Sequence, residues 1–200
     1  MSVISFEKRA CNAIIQGASD YKKMFLEHEY IIYSPDFVKQ PYYVINALVT
    51  NYLHLTGVNT TLSTYDFFNM SLNGTLSEKD FDFTKPNKSA KSVRGSVRQK
   101  IQALASMPLL FSNKLLATED FTKNSMTCSL ATADNKITMG FVNDIDAKPK
   151  TLLWGNELNK ANAVNVALVL RRNRSSEIFD TIIQGDTRSL LRFISKCILK

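Results

Sequence analysis

The feature that most constrains this chain is a change of hydrophobic period near its middle. In the first half, apolar residues recur at spacings of three and four. Phe6, Ala10, Ala13, Ile14, Gly17, Tyr21, Met24 and Phe25 do so, which predicts an N-terminal helix that Ser5 can cap. The second half instead carries short β-branched, aromatic or aliphatic runs at 126–131, 136–142, 151–154, 164–170 and 178–184. Turn-forming residues separate them: Ala133–Asn135, Asn143–Asp144, Gly155–Asn156 and Asn173–Ser175. That spacing fits an antiparallel meander rather than βαβ units. The chain therefore reads as α+β, with N-terminal helices packed on a small antiparallel sheet formed mainly by the second half, and a C-terminal amphipathic helix.

The remaining elements follow from local signals. Residues 29–34 and 42–48 read as strands, and 51–57 as a tight turn or short helix ended by Gly57. Residues 63–72 read as a helix, and 77–80 as the start of another. A helix is predicted over 90–106, with Val93, Val97, Ile101 and Leu104 as its apolar stripe and Pro108 closing it. Asp186 or Thr187 can cap the last helix, with Leu190, Leu191, Ile194, Cys197 and Ile198 facing inward. At 200 residues the chain has the length of one domain, read as 1–200, with a helical part to 110, strands over 120–185 and the last helix from 186.

Charge narrows the partner. The net charge of +7 is concentrated in two stretches. Residues 84–101 carry six bases (Lys85, Lys88, Lys91, Arg94, Arg98, Lys100) and no acid. Residues 171–200 carry seven bases against three acids. These stretches hold +6 and +4, leaving −3 for the rest of the chain. Local basicity of this kind fits a polyanionic partner, although a basic run is equally often a solvated face. Cys11, Cys128 and Cys197 have no metal-ligand spacing and fit a reducing, cytoplasmic setting. Glu7 stands where a signal peptide would need its apolar stretch, and no apolar run is long enough to span a membrane.

Several chemistries lack their motifs. The chain has no GxxxxGK[ST], no GxGxxG after a strand, no GxSxG and no HExxH. No cofactor and no metal site is expected. Of the two histidines, His28 lies between Glu27 and Glu29 near a helix end and reads as a surface histidine stabilised by those acids and the helix terminus. His54, in Tyr52-Leu-His-Leu-Thr-Gly57, is flanked by Leu53 and Leu55 and so projects away from the core. A lone histidine at such a place is more often a structural hydrogen bonder, yet it titrates where acid–base catalysis needs it.

The His54–Gly57 turn after a strand-like segment resembles the "HLTG"-type turn of a phage-associated branch of the barnase–EndoU–colicin–RelE-like nucleases. Asp20–Lys23, Tyr30–Tyr33, the Lys91–Arg94…Lys100-Ile101 helix, Pro149–Leu153 and the strand 164–171 follow in the matching order, so the resemblance covers about 20–185. It implies an α+β fold, metal-independent RNA cleavage through a 2′,3′-cyclic phosphate, and a phage or mobile-element, toxin-like setting in the host cytoplasm. His54 and Thr56 match best; Lys150 and Thr151 match the late strand less specifically, and Arg94 and Arg98 match as helix bases.

The chemistry is compatible. His54 can act as base or acid; Lys150, Arg94 and Arg98 can stabilise phosphate charge; Thr56 or Thr151 can orient the phosphate. Trp154 can stack on a base, although a core position is its commoner fate. Arg171 completes the substrate-binding set. The alternative is a non-catalytic anti-defence protein on the same fold that docks on a host protein or on nucleic acid.

Overall fold

The computed structural model describes residues 4–112, 114–123, 126–143 and 146–198. The first helix, α1, spans Phe6–Tyr21. Ser5 caps it, its hydroxyl accepting from the Lys8 amide at 3.0 Å, and Glu7 complements the positive end of the helix. Ala10, Cys11, Ile14, Gly17, Ala18 and Tyr21 form its buried face. A π turn, Lys22–Leu26, leads into β1 (His28–Tyr33). Then follow β2 (Tyr43–Ile45), a 3-10 turn, α2 (Tyr52–Thr56), α3 (Thr64–Leu72) and α4 (Ala90–Ser106).

The later strands are β3 (Leu116–Lys123), β4 (Met126–Ala133), β5 (Ile137–Val142), β6 (Asp146–Trp154), β7 (Val164–Asn165), β8 (Leu168–Asn173) and β9 (Thr181–Gln184). The helix α5 (Thr187–Phe193), capped by Asp186, is followed by a second π turn. The fold is α+β. Among the described residues, seven of nine strands come from the second half, in the order β7-β3-β4-β5-β6-β2-β1-β8-β9. The sheet is mixed rather than wholly antiparallel, because β2 pairs with β6 in parallel, Val44 against Asp146 and Ile45 against Ala147.

The short strands β1 and β2 thus sit inside the sheet. Tyr30 and Ile32 of β1 face the main core beneath the helices, while Ile31 and Tyr33 face a second core covered by Phe193 of α5. Burial on both faces explains why this strand reads as a continuous apolar run.

Other expectations are corrected. Residues 77–80 form a turn in which Asp80 accepts from the Ser77 amide at 2.6 Å, so no helix starts there. The run 164–170 is divided between β7 and β8, and Ile178 lies outside β9 and is 70% exposed. Strand β3 starts at Leu116, ahead of the strand part expected from 120, and carries the acids Glu119 and Asp120 at its centre. The Glu119 carboxylate is consumed internally, accepting from the Val38, Lys39 and Gln40 amides and the Tyr43 hydroxyl. Leu191 is 62% exposed rather than inward, since α5 ends at Phe193 and covers the sheet with Leu190, Phe193 and Ile194. The expected turn at Asn143–Asp144 falls partly outside the described residues, as does the side chain of Ile198. No described helix is long and apolar enough to cross a membrane.

Candidate active site

The site is built on α2, which is too short to be stable alone and is fixed by its neighbours. The Tyr52 hydroxyl donates to the Ile14 carbonyl of α1 at 2.5 Å, and Tyr52 is fully buried. This approach requires Gly17, because a Cβ there would stand 2.8 Å from the Tyr52 oxygen. Leu55 is buried on the core side, and His54 is left exposed. Gly57 ends the helix at φ +78°, a left-handed conformation that favours glycine.

Lys100 of α4 crosses this turn. A Cβ on Gly57 would lie 2.4 Å from the Lys100 Cδ, so the glycine leaves the passage for the lysine stem. Beyond it, the Lys100 Nζ donates to the His54 carbonyl at 3.2 Å, the Leu152 carbonyl at 3.2 Å and the Thr151 hydroxyl at 3.4 Å. One ammonium thus joins α4, α2 and β6. Burial, and secondarily Lys85, hold its pKa down to about 8.

Strand β6 supplies the other wall. Gly140 of β5 pairs with Thr151 and Phe141 with Pro149, so Lys150 is the extra residue of a β-bulge. A bulge re-aims a side chain, and here the Lys150 charge acts on His54. Thr151 is 2% exposed and packs over Gly140, where a Cβ would be 2.9 Å from the Thr151 methyl.

The electrostatics of His54 have one sign. Burial lowers its pKa first, then Lys150, Lys100 and Lys85 lower it further. The ring is therefore held neutral to lower pH than a free histidine. Lys85 is itself pushed down by burial and by Lys88. Among the described residues, neither the Lys85 ammonium nor the Lys150 ammonium has a hydrogen-bond or ion-pair partner. The result is a neutral imidazole beside cations with no neutralising acid, which suits a polyanion.

His54 and Thr151 therefore meet at Lys100, and Lys150 is near enough for its charge to act on His54. Thr56 is adjacent but committed: fully buried, its hydroxyl donates to the Leu53 carbonyl at 2.8 Å and closes the turn. Arg94 and Arg98 stand elsewhere. Arg98 is about 200° around α4 from Lys100. Arg94 pairs with Glu7 at 2.6 Å and lies over the Phe83 ring at 5.2 Å; Arg98 lies over Phe6 at 5.6 Å. Arg171 is on β8, three strands from β6. Trp154, at the end of β6, is 43% exposed rather than a core residue, so its ring is available for stacking.

Lys100 and Lys85 escaped selection from sequence, where they read only as members of a basic run. A signal for Lys100 existed. It falls on the 93-97-100-104 series, where Val93, Val97 and Leu104 are buried, so a lysine occupies a core-facing stripe position. No group of three His, Cys, Asp or Glu side chains suited to a metal comes together among the described residues.

A family model described as phage-Barnase-EndoU-ColicinE5/D-RelE like nuclease4 matches residues 13–185 of the chain. The match spans the whole site and indicates a nuclease. No curated protein and no solved structure matches the chain.

Proposed function

We propose that this chain, which belongs to the phage-Barnase-EndoU-ColicinE5/D-RelE like nuclease4 family, is a metal-independent endoribonuclease with His54 as its base. The observation that carries this reading is the Lys100 ammonium bound to both the His54 turn and Thr151, inside a group of cations that keeps His54 neutral. A neutral imidazole can take a proton, and surrounding cations can hold a phosphate whose charge grows during attack. The same cations disfavour a divalent metal at this position.

In this mechanism the His54 ring removes the ribose 2′-OH proton. The 2′-oxygen bonds to phosphorus, and the bond from phosphorus to the 5′-oxygen breaks, giving a 2′,3′-cyclic phosphate. Lys150 donates the proton that the departing 5′-oxygen takes up. Lys100 has its three N–H groups engaged and acts by charge and by fixing the turn. Thr151 accepts from Lys100, which leaves its own O–H to donate to a phosphate oxygen. Trp154 stacks on a neighbouring base. The word phage in the family's description supports a phage setting, and with it action in the cytoplasm of an infected cell, as part of this reading.

The test is product analysis after incubation of a mixed RNA pool in EDTA. Cyclic-phosphate ends support the reading; intact RNA at micromolar protein, with or without divalent metal, removes it. The alternative of a non-catalytic binding protein draws on Thr56, whose hydroxyl is spent on its own turn. It requires that His54→Ala leave function unchanged.

A further inference from the structure

We infer that the cavity beside His28 is a phosphoryl-binding subsite, distinct from the His54 site. The cavity, about 190 Å³, lies where the π turn after α1 meets β1, β8 and the turn that follows α4. Lys23, His28, Ser112 and Arg171 line it, over Tyr30 and Phe111.

Strand alternation makes this cavity cationic. His28 and Tyr30 point to one face of β1, and Arg171 is paired across the ladder with Tyr30. Glu29 points to the other face, where it is paired with Arg172 at 2.5 Å. The acid on the other side of His28, Glu27, is engaged by Lys22 at 2.6 Å. Glu29 thus serves another cation, contrary to the sequence expectation, whereas Glu27, though held by Lys22, still acts by charge on His28 and Lys23. Among the described residues, neither the Lys23 ammonium nor the Arg171 guanidinium has a hydrogen-bond or ion-pair partner.

The histidine is also set. Its Nδ1 lies 2.8 Å from the Lys23 carbonyl. A carbonyl can only accept, so Nδ1 carries a proton; Nε2 accepts in the neutral ring and donates to a phosphoryl oxygen in the imidazolium, the form that a bound anion favours. A fork of guanidinium donors, an ammonium, an imidazolium and the Ser112 hydroxyl over an aromatic floor match the oxygens of a phosphoryl group. Its source is an RNA chain end or an internal phosphodiester. As an RNA contact the subsite rests on the nuclease reading; as a phosphoryl site it does not.

The experiment is a titration of the full chain with inorganic phosphate, followed by the nitrogen resonances of the His28 ring. The expected result is a saturable shift at His28, with affinity about tenfold or more weaker in Arg171→Gln, since charge-assisted hydrogen bonds are the strong ones. Arg171→Lys, which keeps the charge and loses the fork, should fall between. Absence of a saturable shift at His28 in the wild-type chain overturns the inference, even where the variants fail to fold. So does a folded Arg171→Gln that binds like wild type. A nucleoside 5′-monophosphate and a dinucleoside phosphodiester then compete for the site, and the tighter one identifies the source. Because no cleavage is needed, RNA cutting without phosphate binding at His28 removes this subsite alone. Phosphate binding without RNA cutting removes the nuclease reading alone.

Discussion

The Nζ of Lys100 lies 3.2 Å from the carbonyl oxygen of His54 and donates to it, so a cation from α4 sets the turn that presents the imidazole. Replacing Lys100 by Met keeps most of the stem and removes the donor. Two carbonyls then lose their donor, the exposed one of His54 and the part-buried one of Leu152, so the loss stays toward the low end of the about 1–3 kcal/mol for a buried group left unsatisfied. Relief of the buried charge offsets part of that loss. RNA cleavage should fall further than stability does, measured as initial rates beside denaturant melts.

The pH dependence of stability isolates the same lysine. Its folded pKa is held down at about 8 from an ordinary 10.5. Between those values the unfolded chain binds the proton and the folded chain has released it. Stability therefore rises with pH across this window. The rise contributed by this group is about 3 kcal/mol at full extent. Melts at pH 7 and pH 10 should show it as a difference between wild type and Lys100→Met, which lacks the group. A constant difference between the two proteins would contradict the assigned burial.

Cleavage itself should follow a bell-shaped pH profile. The base form of His54 is lost as pH falls through its folded pKa, which burial and three lysines place below 6.5. The Lys100 charge is lost near 8. The acid limb should therefore lie below pH 6.5 and the alkaline limb near pH 8. Removing the Lys150 charge should move the acid limb upward, because one of the charges opposing imidazolium is gone.

Gly57 should tolerate no side chain. Alanine there takes a left-handed conformation at about 1–2 kcal/mol and meets the lysine stem as well. In Gly57→Ala/Lys100→Ala the clash disappears while the backbone cost remains. The double variant should thus be more stable than the sum of the two single losses. Strict additivity in denaturant melts would show that the stem does not cross the glycine.

Salt dependence separates the basic residues of α4 and its approach. Lys85 has no partner to give up, so Lys85→Ala should lower the slope of log affinity against log salt by about one. Arg94 is already paired with Glu7 on the other side of the helix, and Arg94→Ala should change that slope less. Filter binding of RNA to cleavage-blocked His54→Ala, across a salt series, measures both.

The helices were legible because their signals are local. Ser5, Ser89 and Asp186 each cap a helix, and the 90–106 prediction coincides with α4. What escaped depended on distant partners. Strand β3 hides its character because Glu119 is satisfied by a loop some eighty residues earlier. The parallel β2–β6 pair joins residues about a hundred apart, and nothing in either run announces it. His54, Lys150 and Thr151 were picked separately from sequence. The residue that joins His54 to Thr151, Lys100, was marked only by standing on an apolar stripe.

The most direct test compares wild type with His54→Ala, and with His54→Gln as a near-isosteric control, in EDTA on end-labelled RNA. His54 lies on an exposed face, so the variants should fold and melt like wild type. General-base catalysis contributes about 10²- to 10⁴-fold, and cleavage should fall by that much in both variants while RNA affinity stays. Equal cleavage by folded His54→Ala would contradict the account.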